Sequence, residues 1–249
     1  MAGSIDEELA SFDKAMMGPN ASEWKAAWEK EISRLEAAHT WELVDPPPGA
    51  PIIPCGNMLK TKRGPDNEVV EYRFRIVAGG HKQRKGIDYE ESFSSAAKMP
   101  STRVILAHAA QHDWEIHQVD VKSAYLYAKL DEVVYMRPPA GYLKKGEEGK
   151  VCRLLKCLYG LVQAGRGWQK ELTGTFLKMG YTRSSVDHSV FFRRQDSEHS
   201  IVAVATDDMA VTGNSVATVN KFKSELKAYY DITDLGKIGL LIMQARLYI

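Results

Sequence analysis

The chain has 249 residues, 44% of them hydrophobic and 26% charged, with a formal net charge of +1. This balance is that of a globular protein, excludes a low-hydropathy disordered chain, and in bulk points to no nucleic-acid partner. Three cysteines without CxxC spacing, no signal-peptide core and no membrane-length apolar run predict a reduced intracellular protein. The cytoplasm is the expected compartment, with the nucleus left open, and no membrane or structural zinc is expected.

In chain order, residues 1–19 read as a flexible acidic lead-in, and residues 1–45 hold ten acidic and four basic residues, a net of −6. Asn20, with Glu23 three residues on, predicts a helix N-cap box. Trp24, Trp28, Ile32 and Leu35 then recur at helical spacing, so one face of that helix packs inward. Pro46-Pro47-Pro48-Gly49 ends the helical region. Residues 58–80 read as two strands around the turn Gly64-Pro65-Asp66-Asn67, and alternation puts Arg73 and Arg75 on one face. Residues 60–85 hold eight basic and three acidic residues, a net of +5. Lys60, Lys62, Arg63, Lys82, Arg84 and Lys85 are therefore candidate phosphate contacts. The competing reading is a solvated charged hairpin.

Pro100 and Ser101 open a helix through Val104, Ile105, Ala107 and Ala109, and a strand carrying Asp120 follows. A further helix spans about 165–179. Residues 201–213, Ile201-Val-Ala-Val-Ala-Thr-Asp-Asp-Met-Ala-Val-Thr-Gly213, read as a hairpin with Asp207 and Asp208 at its turn. An Asp-Asp pair after an apolar run is usually a polar turn, because Asp bonds its own backbone. With Asp120 on a neighbouring strand, however, three carboxylates suit a two-metal site for phosphoryl transfer. A last helix is capped at Asn214 or Ser215 and uses Val219, Phe222, Leu226 and Tyr229. Strands and helices mix without βαβ alternation, which predicts an α+β fold with an antiparallel sheet.

Several segments occur together, in order. They include Trp41-Glu-Leu-Val44, Arg73-Phe-Arg-Ile-Val-Ala78, Gly86-Ile-Asp-Tyr-Glu-Glu-Ser-Phe93, Gln118-Val-Asp-Val-Lys122 and Val134-Tyr-Met136. They continue with Val151-Cys-Arg-Leu-Leu-Lys-Cys-Leu-Tyr-Gly-Leu161, Gln163-Ala-Gly-Arg166 with Trp168, and Asp234-Leu-Gly236. This series resembles the reverse transcriptase domain of copia-type retrotransposon polyproteins, over roughly residues 20–240.

The resemblance implies a right-hand polymerase in residues 20–249, with an antiparallel palm sheet flanked by helices. Fingers would lie mainly in 20–99 and 128–165, and the palm mainly in 100–127 and 166–249. It implies RNA-directed DNA synthesis on an RNA or DNA template with a primer, using dNTPs and two Mg²⁺ ions, with Mn²⁺ a substitute. Asp120 and Asp207 would bridge the ions and Asp208 would support them. Arg75, helped by Arg73, would reach the triphosphate through a fork suited to phosphate oxygens. Tyr125, five residues after Asp120, would be a steric gate against a ribose 2′-OH, where the family more often carries Phe. Gln163 and Arg166 would lie against nucleotide and template.

The chain departs from the family pattern at several places. Ala205 stands where the family carries Tyr before the two acids, Asn57-Met58-Leu59 replaces Lys-Trp-Val, and residues 239–243 follow the pattern loosely. The chain ends at Ile249, so a missing thumb and a truncated copy of an element are expected. An inactive remnant that at most binds nucleic acid is the alternative to a working polymerase. The oligomeric state is open.

Overall fold

The computed structural model describes residues 6–8, 12–92 and 94–238. Residues 239–243, expected to follow the family pattern loosely, lie outside the described residues. The chain forms two compact units, residues 1–92 with 128–164 and residues 93–127 with 165–249. Among the described residues no helix is long and apolar enough to cross a membrane.

The first unit contains β1 (Asp6–Glu8), α1 (Phe12–Met17), α2 (Ala21–Ala37), β2 (Trp41–Val44) and β3 (Ile52–Ile53). It continues through β4 (Cys55–Arg63), β5 (Val69–Ala78), β7 (Tyr135–Met136) and β8 (Val151–Leu154). Its sheets run in the orders β1-β4-β5 and β2-β8-β7-β3. The expected hairpin across Gly64–Asn67 is present as the antiparallel β4–β5 pair. α2 lies on the inner face of β5, where Trp24 meets Tyr72 edge to face at 4.8 Å. Ile32, Leu35, Leu59, Phe74 and Ile76 are buried in this unit.

Two local expectations change. The stretch 1–19 is not wholly a loose lead-in, because it carries β1, paired with β4, and α1. The Phe12 ring meets Trp28 at 6.0 Å and Phe74 at 6.3 Å, so apolar burial overrides the acidic composition. Asn20 does stand at the N-cap of α2, but its side chain makes no capping bond. Ser22 takes Glu23 instead, at 2.7 Å, so the capping box does not form.

Where β5 ends, backbone packs directly on backbone. The Ala78 amide donates to the Tyr159 carbonyl at 2.8 Å. A Cβ at Gly160, whose φ is 94°, would lie 2.2 Å from the Ala78 oxygen. Only glycine meets both demands, which explains the glycine in the Leu158-Tyr159-Gly160-Leu161 segment.

The second unit is built on a six-stranded sheet in the order β13-β6-β12-β11-β10-β9. The strands are β6 (Ile116–Val121), β9 (Thr182–Arg183), β10 (Val190–Gln195), β11 (Glu198–Ala205), β12 (Asp208–Gly213) and β13 (Ile232–Lys237). Its helices are α3 (Met99–Gln111), α4 (Ala164–Lys178, shared at its first residue with the other unit) and α5 (Val216–Lys227). Among the described residues its strand pairs are all antiparallel. The mixed helix-and-strand character expected from the sequence is therefore present, with an antiparallel sheet in this unit and one parallel pair, β3 with β7, in the first. α5 starts at Ser215, whose hydroxyl accepts from the Thr218 amide at 3.1 Å.

Alternation along the strands sorts the residues. Val119, Val121, Val202, Val204, Met209 and Val211 form one core with Trp168, Leu172 and Phe176 of α4 and Val219, Phe222 and Leu226 of α5. On the opposite face, Ile105 of α3 packs with Val190 and Ala203.

Behind the first core face, buried Lys223 of α5 donates to both Asp234 oxygens at 2.7 and 2.8 Å and contacts His117 Nδ1 at 2.8 Å. An ammonium only donates, so Nδ1 accepts and the ring hydrogen sits on Nε2, 3.0 Å from Glu115. Asp234 also accepts the Gly236 amide across a register shift in β13. The Asp234-Leu-Gly236 motif is thus a bulge that fastens β13 to β6 and α5.

Asp187, 2% exposed, accepts the Lys98 amide at 2.7 Å and the Ser189 amide at 3.1 Å, tying β10 to the start of α3. Burial opposes its charge, but the Ser101, Lys98 and Ser189 donors outweigh it and lower its pKa. At Asp234 burial is likewise outweighed, here by Lys223 and the Gly236 amide. Lowered folded values contribute stability above the ordinary 3.8, lost as pH falls through the folded values. Melting temperature should accordingly stay level towards acid as far as these two groups act, then drop below about pH 4. Asp187→Asn should flatten part of that drop, and an identical acid limb in the variant would refute the assignment.

Candidate active site

β6 lies between β12 and β13, and its pairing with β12 sets Asp120 directly opposite Asp208. β11 and β12 are joined by the two residues Thr206 and Asp207, with Ala205 opposite Asp208. Apolar Val119 and Val121 point into the core, so Gln118 and Asp120 share the other face of β6. The Asp207 carbonyl accepts the Val121 amide at 2.9 Å, which holds the hairpin turn against β6. As a result one carboxylate oxygen from each of Asp120, Asp207 and Asp208 falls within 4.8 Å of the others. No other group of three or more His, Cys, Asp or Glu side chains that could hold a metal occurs among the described residues.

The turn is under conformational constraint. Thr206 has a φ of 60°, a region that β-branched residues rarely adopt. The indole of Trp168, 2% exposed, donates to the Thr206 carbonyl at 2.7 Å and fixes this conformation from α4. A second anchor is Gln118, whose amide nitrogen donates to Asp208 Oδ1 at 2.8 Å. In the sequence both stand only as members of family-like segments, with no anchoring role. The role of Gln118 was legible, because it stands two residues from Asp120 on the same strand face; the Trp168 bond to Thr206 was not, because it joins residues 38 apart.

Of the residues named from the sequence, Asp120, Asp207, Asp208, Tyr125 and Arg166 lie in the second unit. Tyr125 is in a short 3-10 turn after β6 and packs half-buried against the core. Arg166 is exposed in the first turn of α4. The remaining named residues lie in the first unit. Register places Lys60 opposite Arg73 and Lys62 opposite Glu71, so these side chains share one face of the β4–β5 hairpin with Arg75. Arg73 pairs with Glu71 at 2.8 Å, and the Arg75 guanidinium lies over the Tyr159 ring at 5.7 Å. Lys82, Arg84 and Lys85 are exposed, and Arg84 reaches Asp88 at 3.4 Å. Arg63 donates to the Asn67 carbonyl at 3.0 Å, bracing the hairpin turn. Gln163 is 3% exposed; it accepts from Gln83 at 3.0 Å and donates to the Asp88 carbonyl at 3.2 Å. Its amide therefore organises residues 83–88 within the unit.

A sheet hairpin and adjoining strand that gather three carboxylates define a protein with an all-oxygen site suited to hard divalent cations. A sequence model described as reverse transcriptase (RNA-dependent DNA polymerase) matches residues 38–244. The chain belongs to this reverse transcriptase family, in its copia-type retrotransposon branch. It is 34% identical, over 98% of its length, to the retrovirus-related Pol polyprotein from transposon TNT 1-94 of Nicotiana tabacum, and covers 19% of that protein. It is 36% identical, over 85% of its length, to the corresponding polyprotein from transposon RE1 of Arabidopsis thaliana, and covers 14% of it. The chain thus spans less than a fifth of these curated relatives.

Replacing Trp168 by Phe keeps most of the buried ring and removes the donor to Thr206. The unpaired carbonyl should cost about 1–3 kcal/mol in urea denaturation. A wild-type midpoint in Trp168→Phe would show that the turn does not depend on this bond.

Proposed function

We propose that this chain is an RNA-directed DNA polymerase domain that transfers a nucleotide from a dNTP to a primer 3′-hydroxyl. In this reading the second unit is the palm and the first the fingers of a right-hand polymerase. The observation that carries it is the convergence of Asp120, Asp207 and Asp208 within 4.8 Å across β6 and the β11–β12 turn. The donor set fits Mg²⁺, since it offers carboxylate oxygens only, and the same ligands suit Mn²⁺. Asp120 and Asp207 would hold a pair of such ions, with Asp208 in support. Bound there, the ions supply activation of the 3′-hydroxyl and charge neutralisation at the triphosphate.

The remaining roles belong to the chain's own side chains. The sheet fixes the acids before substrate arrives, so little reorganisation opposes reaction. Arg75, with Arg73 beside it, contributes fixed positive charge and paired donors for phosphate oxygens. Lys60, Lys62, Arg63, Lys82, Arg84 and Lys85 add sequence-independent attraction for a template–primer backbone. Tyr125 supplies a ring in the position of the steric gate, and Arg166 an exposed cation at the start of α4. Gln163 can touch a nucleotide only by releasing part of its bonding to Gln83 and Asp88.

A second reading rests on Ala205, which gives the end of β11 no aromatic ring to set against a primer terminus. A chain with intact acids but a poorly placed primer would bind nucleic acid with little turnover, since small misplacements cost about 10²-fold. Primer extension on an RNA template with Mg²⁺ and dNTPs separates the two. The proposal expects extension by the wild-type chain and none by folded Asp120→Asn or Asp207→Asn. Extension that persists in both variants would remove the site assignment, and a folded wild-type chain without extension would favour the binding-only reading.

In the same assay, Tyr125→Val should raise ribonucleotide incorporation at least about tenfold, the scale of steric discrimination in a pocket. An unchanged preference for dNTPs would reduce Tyr125 to a core residue.

A further inference from the structure

We propose that Gln118 is a positioning residue for Asp208, and that it sets the divalent-cation affinity of the acid cluster. The inference rests on the reading of that cluster as a cation site. Its starting point is the 2.8 Å contact from Gln118 Nε2 to Asp208 Oδ1, well inside hydrogen-bonding range. An ionised carboxylate only accepts, so chemistry requires the nitrogen end of the amide to face it. The acceptor's charge makes this a stronger bond than a neutral pair.

The strand register explains how the contact arises. Asp120 stands opposite Asp208, and Gln118 stands opposite Ala210. Ala210 has nothing beyond its Cβ, so the longer Gln118 side chain can lean diagonally along the same face to Asp208. Diagonal neighbours on paired strands are within reach of long side chains. Both backbones are fixed by the ladder, so the amide arrives at Asp208 without a search through loop conformations.

The chemistry of the amide matters as much as its position. Three carboxylates this close repel, and an unrestrained Asp208 would relieve the repulsion by turning towards water. Gln118 resists that rotation with a donor that carries no charge. A Lys or Arg at this place would hold the carboxylate too, but would cancel charge that a divalent cation needs. Gln118 therefore keeps the site ordered without adding a positive charge to it. Groups that orient metal-binding side chains in this way typically contribute about 10–100-fold in metal affinity.

Titration of the full chain with Mn²⁺, following the free ion by electron paramagnetic resonance and competing with Mg²⁺, tests the proposal. Gln118→Met keeps length and removes the donor, and should weaken Mn²⁺ binding by about 10–100-fold. Its melting temperature without cation should stay at the wild-type value. Gln118→Lys keeps a donor but adds charge, and should also bind Mn²⁺ more weakly. In primer extension both should shift the Mg²⁺ concentration needed for half-maximal rate more than the rate at saturating Mg²⁺. Asp120→Asn serves as the reference for the cation site itself. Wild-type affinity in Asp120→Asn would remove the cation-site reading, and this proposal with it. Binding lost in Asp120→Asn but unchanged in either folded Gln118 variant would overturn the positioning role alone.

Discussion

Three carboxylates with oxygens within 4.8 Å of one another oppose their own assembly. At such a separation each pair of full charges repels by about 1–3 kcal/mol for effective dielectric constants between water and a protein surface. Much of the second unit is organised to hold that arrangement. β6 is clamped by hydrogen-bonded ladders on both sides, and the Asp207 carbonyl is itself bonded to the Val121 amide. Trp168 fixes the Thr206 backbone that turns Asp207 towards β6. Each of these contacts is made by backbone or by a side chain rooted in the core, so the acids are held by parts that do not share their charge.

The core behind the site contributes in a less direct way. Val119 and Val121 are buried on one face of β6, and this decides that Asp120 must stand on the other. A one-residue slip would bury the acids and expose the valines, so the hydrophobic effect protects the site's register. The Lys223–Asp234 pair and His117 add a polar fastening on the core face, joining β6 and β13 to α5. The ammonium is buried while Asp234 is exposed, and the carboxylate meets it with both oxygens. An unmatched ammonium there would be costly, which makes Lys223 and Asp234 a unit.

The first unit follows a different economy. Its β4–β5 hairpin buries Leu59, Phe74 and Ile76 on one side and presents Lys60, Lys62, Arg73 and Arg75 on the other. Tight backbone packing at Gly160 against Ala78, and the Gln83–Gln163–Asp88 hydrogen bonds, stiffen the segments that carry Lys82, Arg84 and Lys85. Charge is thus displayed from hydrogen-bonded segments, which in the proposed reading serves contact with a template–primer backbone. Fixed cations lose less conformational entropy on contact than mobile ones.

Alternation and turn chemistry in the sequence were enough to identify the β4–β5 and β11–β12 hairpins, the strand of Asp120 and the helices α3, α4 and α5. They also marked Asp207 and Asp208, because paired acids between apolar runs are a local pattern, with Asp120 a lone acid on a second apolar strand. The Asn20 capping box was readable as a motif, yet Ser22 captured Glu23 and the box did not form. Phe12 drew α1 into a core from a segment whose composition read as loose. Other decisive contacts join residues far apart in the chain: Gln118 with Asp208, Trp168 with Thr206, and Lys223 with His117. Local sequence determined which residues could serve the site, since periodicity and turn preference are properties of neighbours. Only the tertiary structure decided which of them meet, because strand register is fixed by burial of the whole sheet.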